Sequence, residues 1–202
     1  ARNAPDCGLS YAGGGQICDA GGICARVRLG LALERGRVTG PFGEMDRFVR
    51  NQLRENQMKD VSLLKPRAPE THGVKGSRNS YRDIDRYILG AFQCWGTAND
   101  LIGHDDIEGC GAGGGTQALY FAWRHGVEWK GDELWVHLLF NRRVAVDSDA
   151  SVGGAAPLAA EIWSHLPYEG RVDLVAHRPL RLRVRMPDFT PPESVRVARG
   201  TT

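Results

Sequence analysis

The feature that most constrains this chain is a change in its hydrophobic period. Up to about Trp129 the apolar residues recur every three or four positions, the spacing of one helix face; beyond it they alternate, the spacing of a strand. The segments ELWVHLLFN, AEIWSHLPY, RVDLVAH, LRLRVRMP and SVRVARG are short alternating runs separated by Gly, Pro and Asp. They read as strands. Helices followed by strands make two layers of different kind. The expected class is α+β: a helical portion over residues 1–130 and an antiparallel β-sandwich over 131–202, divided at Lys130-Gly131-Asp132.

Four stretches carry the helical period. In ICARVRLGLALE, Ile23, Val27, Gly30 and Leu31 share a face, and Gly36 is placed to end the helix. In GEMDRFVRNQLRENQM, Met45, Phe48, Val49 and Leu53 form an apolar stripe with most charges outside it. In SYRDIDRYILGAF, Ile84, Tyr87, Ile88 and Ala91 fall at helical spacing behind a candidate N-cap, Ser80. In TQALYFAWRH, Ala118, Leu119, Ala122 and Trp123 share a face, with Thr116 as the expected N-cap. Residues 60–79, with two prolines and two glycines, read as a long surface connection.

Charge narrows the function classes. A net charge of +2 over 202 residues, with the basic residues dispersed, gives no nucleic-acid footprint. The one basic stripe, Arg181, Arg183 and Arg185, alternates with Leu182, Val184 and Met186 and reads as a solvated strand face. No apolar run reaches the roughly 18 residues of a membrane span, and no signal peptide is visible. Five cysteines, Cys7, Cys18, Cys24, Cys94 and Cys110, are an odd number in a chain too large to depend on disulfides. They read as reduced thiols, buried or metal-binding, so a cytoplasmic setting is expected over a secreted one.

The stretch IEGCGAGGGTQALYFAW sets Cys110 in a glycine run that opens into a helix. Gly109, Gly111 and Gly114 satisfy G-x-G-x-x-G, but a dinucleotide site also needs a buried strand ahead of the loop. The residues ahead, IGHDDIE, cannot be one, and no Lys-Ser or Lys-Thr pair makes a phosphate loop.

An ordered series of segments carries a resemblance: GQICDAGGICARVRLGLAL, FGEMDRFVRNQLRENQM, YILGAFQCWGTANDLIG, GCGAGGGTQALYFAWRH, DELWVHLLFNR, SHLPYEGRVDLVAHRPLRLRVRMPDF and SVRV. From about residue 16 onward the chain resembles the C-terminal part of family 127 glycoside hydrolases, typified by β-L-arabinofuranosidases. The resemblance implies an (α/α)6 toroid followed by a β-sandwich. Some 130 residues hold about four helices of ~10–14 residues with their connections, so only the last part of a toroid is expected.

The chemistry implied is retaining glycoside cleavage by a zinc-bound cysteine thiolate, with a carboxylic acid protonating the leaving oxygen. The family's zinc is held by the Glu and Cys of a Glu-x-Cys motif and by two adjacent loop cysteines, the first of which is the nucleophile. Cys18 matches the motif cysteine and Cys110 the nucleophile. Gln16 stands where the Glu belongs, Gly111 where the second loop cysteine belongs, and Gly114 where an Asn is usual. His104, Asp106 and Glu108, with Asp105, Asp19 and Cys24, are the nearby residues able to stand in as ligands. The acid/base glutamate would fall at or before residue 1. The expected partner is a carbohydrate, as substrate or ligand, with no nucleic acid and no membrane. Two functions stand open: a glycosidase using Cys110, or a non-catalytic relative serving as a carbohydrate-binding or structural module. Trp135, Trp163 and Tyr168 are expected in the core or at a contact between domains.

Overall fold

A computed structural model of the chain describes residues 2–4, 9–12, 17–36, 40–63, 88–93, 95–96, 109–146 and 156–200. The class is α+β. The chain divides into two compact units, Ala1–Phe121 and Ala122–Thr202.

The first unit holds a four-stranded antiparallel sheet, β1 (Arg2–Ala4), β2 (Leu9–Ala12), β3 (Ile17–Asp19) and β4 (Trp95–Gly96), in that order. These strands are two to four residues long, too short for a period to register in the sequence. Helix α1 (Ala20–Arg35) follows β3 without a loop. Its buried face is the expected one: Ile23 and Val27 are fully buried, and Gly36 closes the helix by donating its N–H to the Ala32 carbonyl at 3.0 Å. Helix α2 (Pro41–Phe48) starts from Gly40, whose φ of 105° only glycine adopts cheaply, with Pro41 in the first turn. It continues into a π-helical turn, Val49–Leu53. Met45, Phe48, Val49 and Leu53, the predicted stripe, are all buried.

Past α2 the backbone of residues 56–58 pairs with that of 90–93. Gln93 donates to the Asn56 carbonyl (2.8 Å), Met58 to Ala91 (2.9 Å) and Gly90 to Met58 (2.7 Å). That pairing fixes Phe92, which is buried, beside Gly115. Of the third predicted helix only the end is described; Ser80, Ile84 and Tyr87 lie outside the described residues, while Ile88 is buried. The connection over 60–79 is described only as far as Leu63.

Helix α3 (Gly109–Arg124) departs from expectation in two ways. The glycine run is helical, so Thr116 is an interior residue rather than an N-cap, and its hydroxyl bonds back to the Ala112 carbonyl at 2.8 Å. The buried stripe is Gly111, Gly115, Ala118 and Ala122, all small, whereas Leu119 and Trp123 are 44% and 47% exposed. Close approach of backbone selected the small side chains, not the large apolar ones.

The second unit carries two three-stranded sheets. One is β5 (Val127–Lys130), β6 (Glu133–Val136) and β10 (Arg181–Val184), with β6 central. The other is β7 (Arg142–Ala145), β8 (Leu158–Ser164) and β9 (Val172–Ala176), with β8 central. The pairings are antiparallel except that β10 runs parallel to β6. Leu134, Val136, Val144, Ala160 and Ile162, from both sheets, form one buried cluster with Leu139. Gly131 and Asp132 make the two-residue turn of the β5–β6 hairpin, with Gly131 at φ 65°, as a primed turn requires. SVRVARG forms no strand: Pro192–Ser194 is a 3₁₀ turn, and Val195–Gly200 has no regular structure.

Candidate functional site

The candidate site is built on the start of α3. Glycine in a helix interior costs about 0.5–1 kcal/mol relative to alanine, so five glycines between Gly109 and Gly115 need a structural reason. Two of them have one. A Cβ on Gly114 would lie 2.9 Å from the Gly21 Cα and 3.6 Å from the Ala20 carbonyl oxygen. One on Gly115 would lie 2.3 Å from Phe92 Cγ and 2.4 Å from its Cβ. Helix α3 therefore lies with its backbone directly on the first turn of α1 and on Phe92. By contrast, Gly113 faces open space.

Cys110 occupies the first turn of α3 and is exposed. The N–H groups of a first helical turn have no acceptor within the helix, so they face outward beside the thiol. Cys18 lies in β3, its backbone paired with Tyr11 of β2 and Gly96 of β4, immediately before α1. The contact of Gly114 with Gly21 thus ties the helix that begins at Cys110 to the helix that follows Cys18. His104, Asp105, Asp106, Glu108, Gln16, Cys94, Cys7 and His72 lie outside the described residues. Among the described residues, no three His, Cys, Asp or Glu side chains come together as a metal site. Gly111, at the position of the family's second loop cysteine, is a buried helical glycine with no donor atom to offer.

Cys24 belongs to the core rather than to the site. It is buried, its Sγ lies 3.9 Å from Gln117 Oε1 of α3, and burial pushes its thiol pKa up against the opposing charge of Arg28.

Of the three aromatic residues expected in the core or at a contact between domains, Trp163 and Tyr168 are exposed and Trp135 is half-buried. Tyr168 is 86% exposed and Trp163 46%. Trp135, half-buried, carries Lys130 Nζ at 4.4 Å and the Arg183 guanidinium at 5.6 Å from its ring centre. Of the stripe expected to be solvated, Arg181 and Arg183 are exposed, and Arg183 grips Glu133 with two bonds of 3.0 and 3.1 Å, whereas Arg185 is half-buried and donates to the His137 carbonyl at 2.7 Å. Arg142 closes the end of α3, donating to the Trp123 carbonyl at 2.7 Å and stacking on the Trp123 ring at 4.5 Å.

No protein-family model, curated protein or solved structure matches this chain. No helix among the described residues is long and apolar enough to cross a membrane.

Proposed function

We propose that the chain is a glycoside hydrolase-like protein of the family 127 type, acting on L-arabinofuranosides or related glycans with Cys110 as the nucleophile. In this reading the helices are the end of an (α/α)6 toroid. The two three-stranded sheets are a β-sandwich, supported by the hydrophobic cluster they share.

The observation that carries the reading is the placement of Cys110. A covalent nucleophile must be accessible and rigidly presented. Cys110 is exposed, and the turn of helix after it is pinned by Gly114 on Gly21 and Gly115 on Phe92. The thiolate sulfur attacks the anomeric carbon, and a C–S bond forms as the glycosidic C–O bond breaks. The leaving oxygen takes a proton from a carboxylic acid. Water, deprotonated by the same carboxylate, then displaces sulfur and returns the thiolate. The resemblance places that acid upstream of the matched segments. In the family, zinc holds the thiol deprotonated; here only Cys18 and Cys110 match its ligands, so the residues present do not reproduce the set.

The test is release of the aryl alcohol from aryl β-L-arabinofuranosides by the full-length protein. Turnover lost in Cys110→Ala supports the reading. No turnover by either protein across several aryl glycosides overturns it.

A second reading, a non-catalytic carbohydrate-binding or structural module, is favoured by one observation, the buried glycine at Gly111. Metal analysis separates the two. One tightly bound zinc per chain supports the catalytic reading, and a metal-free protein supports the module.

A further inference from the structure

The β7–β8–β9 sheet has one face in the core, and the other carries Arg143, Trp163 and Asp173, all exposed, around a half-buried Glu161. Along β8, Ala160 and Ile162 are buried in the cluster, so Glu161 and Trp163 point the other way. The register places Arg143 of β7 opposite Glu161, and Asp173 of β9 opposite Trp163.

The side chains on this outer face are organised around the two carboxylates. Glu161 accepts from the Trp163 indole N–H at 3.2 Å, pairs with Arg143 at 3.2 Å and lies 3.8 Å from His177. Asp173 lies 2.9 Å from His165 Nε2 and 3.3 Å from Arg171. The indole is thus held by its edge, and Trp163 is 46% exposed. Among the described residues no cation stacks on it, in contrast to Trp135 with its Lys130 and Arg183.

We infer that this face is a binding platform for a neutral glycan, with Trp163 as the stacking surface and Glu161 and Asp173, with their basic partners, as the hydrogen-bonding rim. The ligand class follows from the chemistry of the face. Its cations are each matched by a carboxylate, so it presents no net field to attract a polyanion such as nucleic acid. Its apolar area is a single ring with Val175 nearby, too small for the buried centre of a protein interface. A sugar fits both terms: its C–H face covers an aromatic ring, and its hydroxyls donate to carboxylates and accept from Arg and His. The inference shares only its ligand class with the function proposed above; Cys110 takes no part in it.

The experiment is affinity electrophoresis of the full chain in gels containing arabinan, arabinoxylan or xyloglucan. The wild-type protein is expected to be retarded by at least one of them. Trp163→Ala is expected to weaken that retardation about tenfold, equivalent to about 1.4 kcal/mol, through loss of the stacked ring. Trp163→Phe should recover part of the loss, and Trp135→Ala should bind as wild type. Retardation is read as binding without turnover, so failure here and failure of the hydrolase reading are distinguishable. Absence of retardation in all three polysaccharides overturns the proposal, as does retardation that Trp163→Ala leaves unchanged.

Discussion

Gly114 has no room for a side chain because the Gly21 Cα stands 2.9 Å from where its Cβ would be. The two helices meet backbone to backbone there, and the glycine run that looks like a loop in the sequence becomes a close helix contact. Everything proposed for Cys110 depends on this contact, since it fixes the helix that carries the thiol.

Substitution within the run should separate positions by their surroundings. Gly115→Ala is expected to destabilise by about 1–3 kcal/mol through overpacking, because the obstructing atoms are the root of the Phe92 side chain and cannot swing aside. Gly113→Ala faces open space and should stabilise by roughly 0.5–1 kcal/mol through helix propensity. Urea unfolding of the two variants tests this; equal stabilities would contradict the packing described.

Thiol reactivity should divide Cys110 from Cys24. Alkylation of the native protein, read by peptide mass mapping, is expected to label Cys110 readily and Cys24 only on unfolding. Rapid native labelling of Cys24 would refute its assignment to the core.

The same burial of Cys24 gives a pH dependence. Its folded pKa is raised, so the fold favours the neutral thiol over the thiolate. The contribution is complete below the unfolded value of about 8.5 and is lost as pH rises through the folded value. Melting temperature should therefore fall as pH rises above the unfolded value in the wild type, and less so in Cys24→Ala.

Glu133 moves in the opposite direction. Hydrogen bonds from Arg183, which outweigh the remaining influences, hold its carboxyl below the ordinary range. The contribution is present above the unfolded value of about 4.3 and is lost as pH falls through the folded one. Glu133→Gln should flatten the acid limb of the stability curve slightly, and added salt should mimic it, because the pair is exposed.

Asp46 is buried and bonded to Arg50 Nε at 2.7 Å, one turn along the same helix. Arg50→Met should destabilise by about 1.5–3 kcal/mol by removing a charge-assisted hydrogen bond from a buried carboxylate, whereas Asp46→Asn with Arg50 retained should cost less. A chemical denaturation series reads the difference.

Much of the local structure was legible. The stripes through Ile23–Val27 and Met45–Leu53 repeat over several turns, and their burial follows from amphipathicity alone. Strands β6, β8, β9 and β10 were legible from alternation. Two others, β5 and β7, were missed: Val127 and Trp129 alternate over four residues directly after a helical stretch, and β7 opens on two adjacent arginines that break the alternation. Trp163, expected from its strand spacing in the core or at a contact between domains, is 46% exposed. The better signal was its position one residue from Ile162, which a period of two assigns to the opposite face. Glu161, two residues away, belongs to that face by the same rule.

The sequence by itself determined the α+β class, the order of helices before most strands, and which face of α1 and α2 is buried, because those follow from the repetition of side-chain polarity along a local backbone. Only the tertiary structure decided that Gly109–Gly115 is helix, that Gly131 turns a hairpin, and that Cys110 begins a helix resting on the one after Cys18. A glycine carries no polarity to repeat. Its conformation is set by what packs against it, here Gly21 and Phe92, and those neighbours come from distant parts of the chain.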